Sequence, residues 1–173
     1  MRSSFAPLTA SVLLLGSTLA ACTDPSPTSA TPASPSVALQ RSGTARPLTG
    51  SCTLTFTPSP PPPPAVVHQI DVGTCQFSHL GLTEFYGEQD IDRIAGTQSG
   101  WRTFTAANGD ELHVTHVGTS APAGPGLVSF VAQMTITGGT GRFAGATGTA
   151  RGIGMANLAT RTTTVTIEGT ISY

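Results

Sequence analysis

Two groups of side chains in this 173-residue sequence have types and spacings that could do proton or metal chemistry. The first is a row of carboxylates, Glu84, Glu88, Asp90 and Asp92, in step with Tyr86. Residues two apart share one face of a strand, so these five side chains line up. Convergent carboxylate oxygens would take Ca²⁺, and Glu84 with Tyr86 beside a bound ligand would exchange protons with it. Phe85 and Ile91 fall on the other face, which assigns the acidic row to the solvated outside of a sheet. The second group is His113 and His116. Three apart on a strand, they point to opposite faces and do not chelate one metal together. His116 is in step with Leu112 and Val114, so its ring belongs inside, as a hydrogen-bonded core histidine or as the acid–base group of a cavity.

The remaining composition closes off several chemistries. His68 and His79 have no ligand spacing with the other two, so no metal and no cofactor is expected. All eight basic residues are arginines, which excludes a Schiff-base lysine and a Walker-type phosphate clamp. A net charge of −1 without a basic patch argues against nucleic acid as a partner. No GxSxG elbow supports a serine triad. Trp101, the one tryptophan, is expected in the core or packed at the end of the fold.

The elements that must hold these residues are strands. Ser51–Thr57 alternates strictly, with Cys52, Leu54 and Phe56 on one side and hydroxyls on the other. Further strands are expected over Val66–Phe77, Leu82–Ile94, Trp101–Ala106, Glu111–Val117, Leu127–Thr137, Thr149–Leu158 and Thr162–Tyr173. Asn108-Gly109-Asp110 is a strong hairpin signal, because Asn-Gly takes the positive φ of a tight turn. Pro122–Gly126 reads as a loop, and Pro60–Pro64 as a stiff polyproline excursion that cannot sit in a ladder. Eight short strands with turns at regular spacing predict an all-β antiparallel barrel or sandwich.

The glycine-rich stretch Thr137–Gly148 (TGGTGRFAGATG) decides between these. A phosphate loop needs a helix after it, and Ala146–Gly154 is too rich in glycine and threonine to form one. The glycines instead allow positive φ and close backbone approach at a corner between strands. The segment Gly138, Gly139, Thr140, Gly141, Arg142, Phe143, Ala144, Gly145 and Ala146 resembles the GGTG-(R/K)-F-x-G-A segment of the allene oxide cyclase and dirigent superfamily. The resemblance implies an eight-stranded antiparallel, calycin-like β-barrel over residues 47–173. In it Phe143 would plug the barrel end and Arg142 would bond turn carbonyls. It also allows a cyclase or isomerase acting on a lipid-derived substrate, but carries over no catalytic residue; Glu84, Tyr86 and His116 are the candidates from the residues themselves.

The N-terminus places the barrel. Residues 1–21 have a basic start, a short apolar core and small residues at the end, the layout of a secretory signal. Leu19-Ala20-Ala21-Cys22 resembles the lipobox of bacterial lipoproteins, which implies cleavage before Cys22, lipidation of Cys22 and a membrane as partner. Residues 22–46, rich in Pro, Ser and Thr, read as a flexible tether. Cys52 and Cys75 remain as an even pair, expected to form a disulfide outside the cytoplasm. The expectation is a lipid-anchored protein of the bacterial cell envelope, on the outer membrane where the host has one. Its barrel would bind a small apolar ligand, act as an isomerase, or be packed solid and purely structural.

Overall fold

The computed structural model describes residues 43–59 and 65–173. The expected signal and lipidation site at Cys22, most of the expected tether and the run Pro60–Pro64 lie outside the described residues. The described residues form eight strands: β1 (Arg46–Pro58), β2 (Val66–Phe77), β3 (Gly81–Asp92), β4 (Thr97–Ala106), β5 (Glu111–Gly124), β6 (Leu127–Gly139), β7 (Thr147–Asn157) and β8 (Thr162–Ser172). Each pairs antiparallel with its sequence neighbour, and β8 returns to β1 to close the barrel. The period of two explains the closure. Val165, Ile167 and Ile171 of β8 point inward with Cys52, Leu54 and Phe56 of β1, while the threonines between them face water.

Two segments differ from the pattern in the sequence. β1 begins at Arg46, pairing with Ile171, five residues before Ser51, the first alternating position. β5 runs through Pro122 to Gly124, so the expected loop Pro122–Gly126 is largely strand, and only Pro125 and Gly126 turn. A register shift between Pro122 and Gly124 absorbs the proline, consistent with proline being tolerated at irregular strand ends.

One end of the barrel is plugged. The glycine-rich stretch turns the chain between β6 and β7 through a single 3₁₀ turn, Gly141–Phe143, with Gly138, Gly141 and Gly145 at φ of +136°, +53° and +75°. Phe143 is fully buried and meets Tyr173 edge-on at 5.0 Å between ring centroids. Burying such a ring contributes about 1.5–3 kcal/mol. Arg142 does not bond turn carbonyls. Its guanidinium lies over the Phe143 ring at 4.6 Å and its Nε sits 3.7 Å from Asp110, whose carboxylate also accepts the Arg142 backbone N–H at 3.3 Å. Asp110 comes from the β4–β5 hairpin, so the pair ties two turns together. Above the plug, Phe104 takes Phe77 and Phe85 edge-on at 5.0 and 5.3 Å. Cys52 and Cys75 stand directly opposite one another on β1 and β2 and form a disulfide facing the interior.

Candidate functional site

Among the described residues the other end is open. A cavity of about 620 Å³ enters the barrel beside the ends of β1 and β2 and the β3–β4, β5–β6 and β7–β8 connections. Its walls are apolar, including Leu54, Phe56, Phe85, Val128, Phe130 and Val165, and its mouth carries the exposed Arg93 and Arg161. Its inner end is polar, and strand register explains how.

Asp71, Gly87 and Arg102 stand side by side across β2, β3 and β4. The next row toward the mouth is Gln69, Gln89, Gly100 and His116, and the one after it holds Ile91, Gln98 and Gly118. Each row has a glycine beside a long polar side chain. A Cβ at Gly87 would press on Arg102 Cγ, and one at Gly118 on Gln98 Nε2, both at 3.1 Å. Asp71 and Arg102 start about 9–10 Å apart at ordinary strand spacing, and the bare backbone at Gly87 leaves room for the arginine stem between them.

A hydrogen-bonded chain connects these groups. Gln69 Nε2 donates to Asp71 Oδ1 at 2.8 Å and Gln89 Nε2 to Asp71 Oδ2 at 2.7 Å. Gln89 then presents its oxygen to His116 Nε2 at 3.2 Å. An amide oxygen only accepts, so the proton sits on His116 Nε2, and among the described residues no side chain or backbone group pairs the buried Nδ1 within hydrogen-bond geometry. Burial raises the Asp71 carboxyl above its ordinary value, opposed by the Gln69 bond, the Arg102 charge and the Gln89 bond. Burial lowers Arg102 to about 10, with the Asp71 charge pulling the other way. His116 is driven down to about 3 by burial first and by the Arg102 charge second, with the Gly100 backbone pulling the other way.

That shift has a definite pH signature. Above about pH 6.5 the ring is neutral in folded and unfolded chains alike. Between there and about pH 3 the unfolded chain binds a proton that the folded one refuses, so stability falls with pH by up to ~1.4 kcal/mol per unit. Asp71 contributes with the opposite sign, because a raised carboxyl relieves its burial cost on protonation. Thermal unfolding between pH 7 and pH 4 should therefore show a steeper fall in Tm for the wild type than for His116→Asn. Parallel slopes would mean the ring is not held neutral.

The residues with candidate chemistry divide between the two faces. Glu84 and Tyr86 lie outside the barrel wall and do not reach the cavity. Phe85 between them is buried, and strict alternation puts its neighbours in water. Tyr86 is 41% exposed and donates to Glu88 at 2.7 Å, a bond that raises its hydroxyl above the usual value. Trp101 is not in the core. It is 43% exposed and leans on Tyr86 at 5.5 Å. His68 joins the outer acidic row, bonding Asp90 at 2.9 Å, and among the described residues no three His, Cys, Asp or Glu side chains could hold a metal ion. His116 is interior but sits behind Gln89 rather than on the cavity wall. It acts on the cavity by orienting Gln89. The polar floor itself (Gln69, Asp71, Gln89 and Arg102), with Gln98 two rows nearer the mouth than Arg102, is not among the residues that motif or spacing picks out. A signal for it is nevertheless present: Asp71 and Gln69 share parity with Cys75, and Arg102 and Gln98 with Phe104.

No protein-family model matches the chain, and no curated protein matches it. Among solved structures it is similar to that of a pterocarpan synthase dirigent protein, with 15% identity and a TM-score of 0.48 over 75% of this chain and 90% of that one.

Proposed function

We propose that this chain is a lipid-anchored envelope protein whose barrel binds a small, largely apolar ligand through its open end. The observation that carries the binding is the cavity of about 620 Å³, within the range of small-molecule sites and built as they are, with apolar walls and a few converging polar groups. An unfilled half-barrel also favours binding over a purely structural role. Anchoring rests on the Leu19–Cys22 motif and the tether behind it.

A cyclase or isomerase reading draws on one further observation, a buried carboxyl, Asp71, raised above its ordinary value beside the cavity. Its two oxygens are committed to Gln69 and Gln89, which suits a structural anion better than a general base.

One experiment tests both parts of the proposal. Full-length protein is expressed in a bacterium, extracted from membranes in mild detergent and examined by native mass spectrometry. The expected result is an N-terminus at Cys22 carrying acyl chains, and a second, non-covalent small-molecule mass lost on denaturation. An unmodified N-terminus would end the anchoring claim. A ligand-free domain that also fails to bind the neutral fluorophore N-phenyl-1-naphthylamine would end the binding claim.

A further inference from the structure

The turns at the open end of the barrel expose what the turns at the plugged end do not. Of the exposed large apolar residues among those described, only Ile94 and Leu158 sit in connections rather than on strands. Ile94, 85% exposed, belongs to the β3–β4 turn and Leu158 to the β7–β8 turn, both at the open end. Four strands separate these turns in a closed barrel of eight, so they stand on opposite sides of the mouth. They are built alike. Asp92 Oδ1 accepts the backbone N–H groups of Ile94 and Ala95, both at 2.9 Å, and Asn157 Oδ1 those of Ala159 and Thr160 at 3.0 and 3.2 Å. Each turn is also pinned to the next connection. Arg93 N–H donates to the Ala65 carbonyl at 2.9 Å, and Leu158 N–H to that of Gly126 at 2.8 Å.

Each turn carries one exposed arginine, Arg93 or Arg161, with no carboxylate in ion-pair distance among the described residues. The carboxylates nearest along the chain, Asp90 and Asp92, are engaged by His68 and by the turn's own N–H groups. Arg161 has a φ of +55°, the one left-handed non-glycine among the described residues. Glycine takes that conformation without strain, and strain of this kind gathers where a side chain has a task. Residues 121–126, between the two turns, add exposed alanine, proline and glycine and no charge.

We infer that this rim docks on a lipid bilayer. Ile94 and Leu158 enter the interface, while Arg93 and Arg161 meet lipid phosphates and lay their stems along the apolar layer. A planar lipid surface meets both sides of the mouth at once, which a small ligand does not. A second copy seated mouth to mouth would instead bring arginines against arginines. The cavity then opens toward the bilayer, and an apolar ligand passes between the two without crossing water. This rests on the anchoring proposed above, because a few apolar tips suffice where a tether raises the local concentration. β1 starts at the plugged end, but residues 23–45 can span about 3.3–3.6 Å each. The 13 residues of β1 rise about 3.3 Å each, so the chain is long enough for the mouth to face the same membrane.

The test places an NBD fluorophore on Ile94→Cys or, at the plugged end, on Ala107→Cys. Full-length protein is purified from membranes, with Cys22 blocked by its acyl chains or replaced by serine where it carries none. It is combined with vesicles of phosphatidylcholine, alone or mixed with phosphatidylglycerol, that carry a nitroxide at headgroup depth. Quenching at position 94 is expected to exceed that at 107 several-fold and to rise with phosphatidylglycerol. Arg93→Gln and Arg161→Gln should each weaken docking on the anionic vesicles about fivefold, and Leu158→Asp should abolish it. Equal quenching at the two positions, or stronger quenching at 107, would overturn the inference. A ligand mass retained by the same samples in native mass spectrometry would then leave the binding reading intact. A label at 94 shielded without vesicles, in a protein that runs as a dimer, would assign the rim to a second copy and equally overturn it. Absence of acyl chains would overturn the anchoring reading alone, the two positions then being compared by titrating lipid.

Discussion

Replacing Arg102 with methionine is expected to lower the stability of the barrel by about 2 kcal/mol at neutral pH, less than the roughly 3–5 kcal/mol that breaking a contacting buried pair costs, because Arg102 acts on Asp71 through its charge without an ion-pair contact. Methionine fills most of the space of the arginine stem, so the loss is electrostatic. Asp71 stays buried with its two amide donors and no positive charge to offset it. Two consequences separate this from simple misfolding. First, Asp71→Asn on top of Arg102→Met should recover most of the loss, because the floor is then neutral and the Gln69 amide turns over to accept from the new side-chain NH2 while Gln89 keeps donating to its oxygen. Second, the gap between wild type and Arg102→Met should narrow as pH falls. With the Arg102 charge gone, Asp71 rises further and takes up a proton earlier, and His116 is also freed from one of the effects that depress it. Urea unfolding of wild type, both single variants and the double variant at pH 7 and pH 4.5 reads both. A gap that stays constant with pH, with no rescue in the double variant, would show that Arg102 contributes by packing alone.

The second large effect belongs to the disulfide. Cys52→Ser with Cys75→Ser is expected to cost about 3 kcal/mol in the chain-entropy account for a loop of this size, the two residues being 23 apart in sequence. The bond joins strands already in register, with both cysteines buried, so its removal alters the unfolded chain more than the folded one. The native protein should accordingly resist reduction by a mild thiol and become sensitive only as it unfolds. A urea midpoint equal to that of the wild type would show that pairing of β1 with β2 is already fixed by the alternation around Cys52 and Cys75.

The difference between these two effects bears on what a sequence displays. Features set within one strand or one turn are legible in the linear pattern. Cys52 with Leu54 and Phe56, the inward His116, the solvated acidic row around Tyr86 and the glycine corner around Phe143 all follow from a period of two or from backbone geometry. The polar floor depends on register between strands that a linear pattern does not contain. Arg102 reads as an ordinary cation until Gly87 is seen beside it, with Asp71 on the next strand over. Trp101 misleads for a related reason. Its size argues for burial, but its parity with Ser99 and Thr103 puts it outside, and parity prevails where strands alternate strictly. The empty half of the interior also depends on register, because it requires glycines and side chains from neighbouring strands to be added up row by row.

Closure of the sheet has a consequence for how this protein can meet others. Because β8 pairs with β1, each of the eight strands is bonded on both sides, and among the described residues the barrel exposes no unpaired strand edge of the kind that recruits a further strand. Main-chain templating, the route by which many sheets aggregate or capture extended peptides, is therefore closed to it while folded. Any partner of the folded barrel must read side chains on its surface, and two copies held side by side would have no backbone reason to fuse.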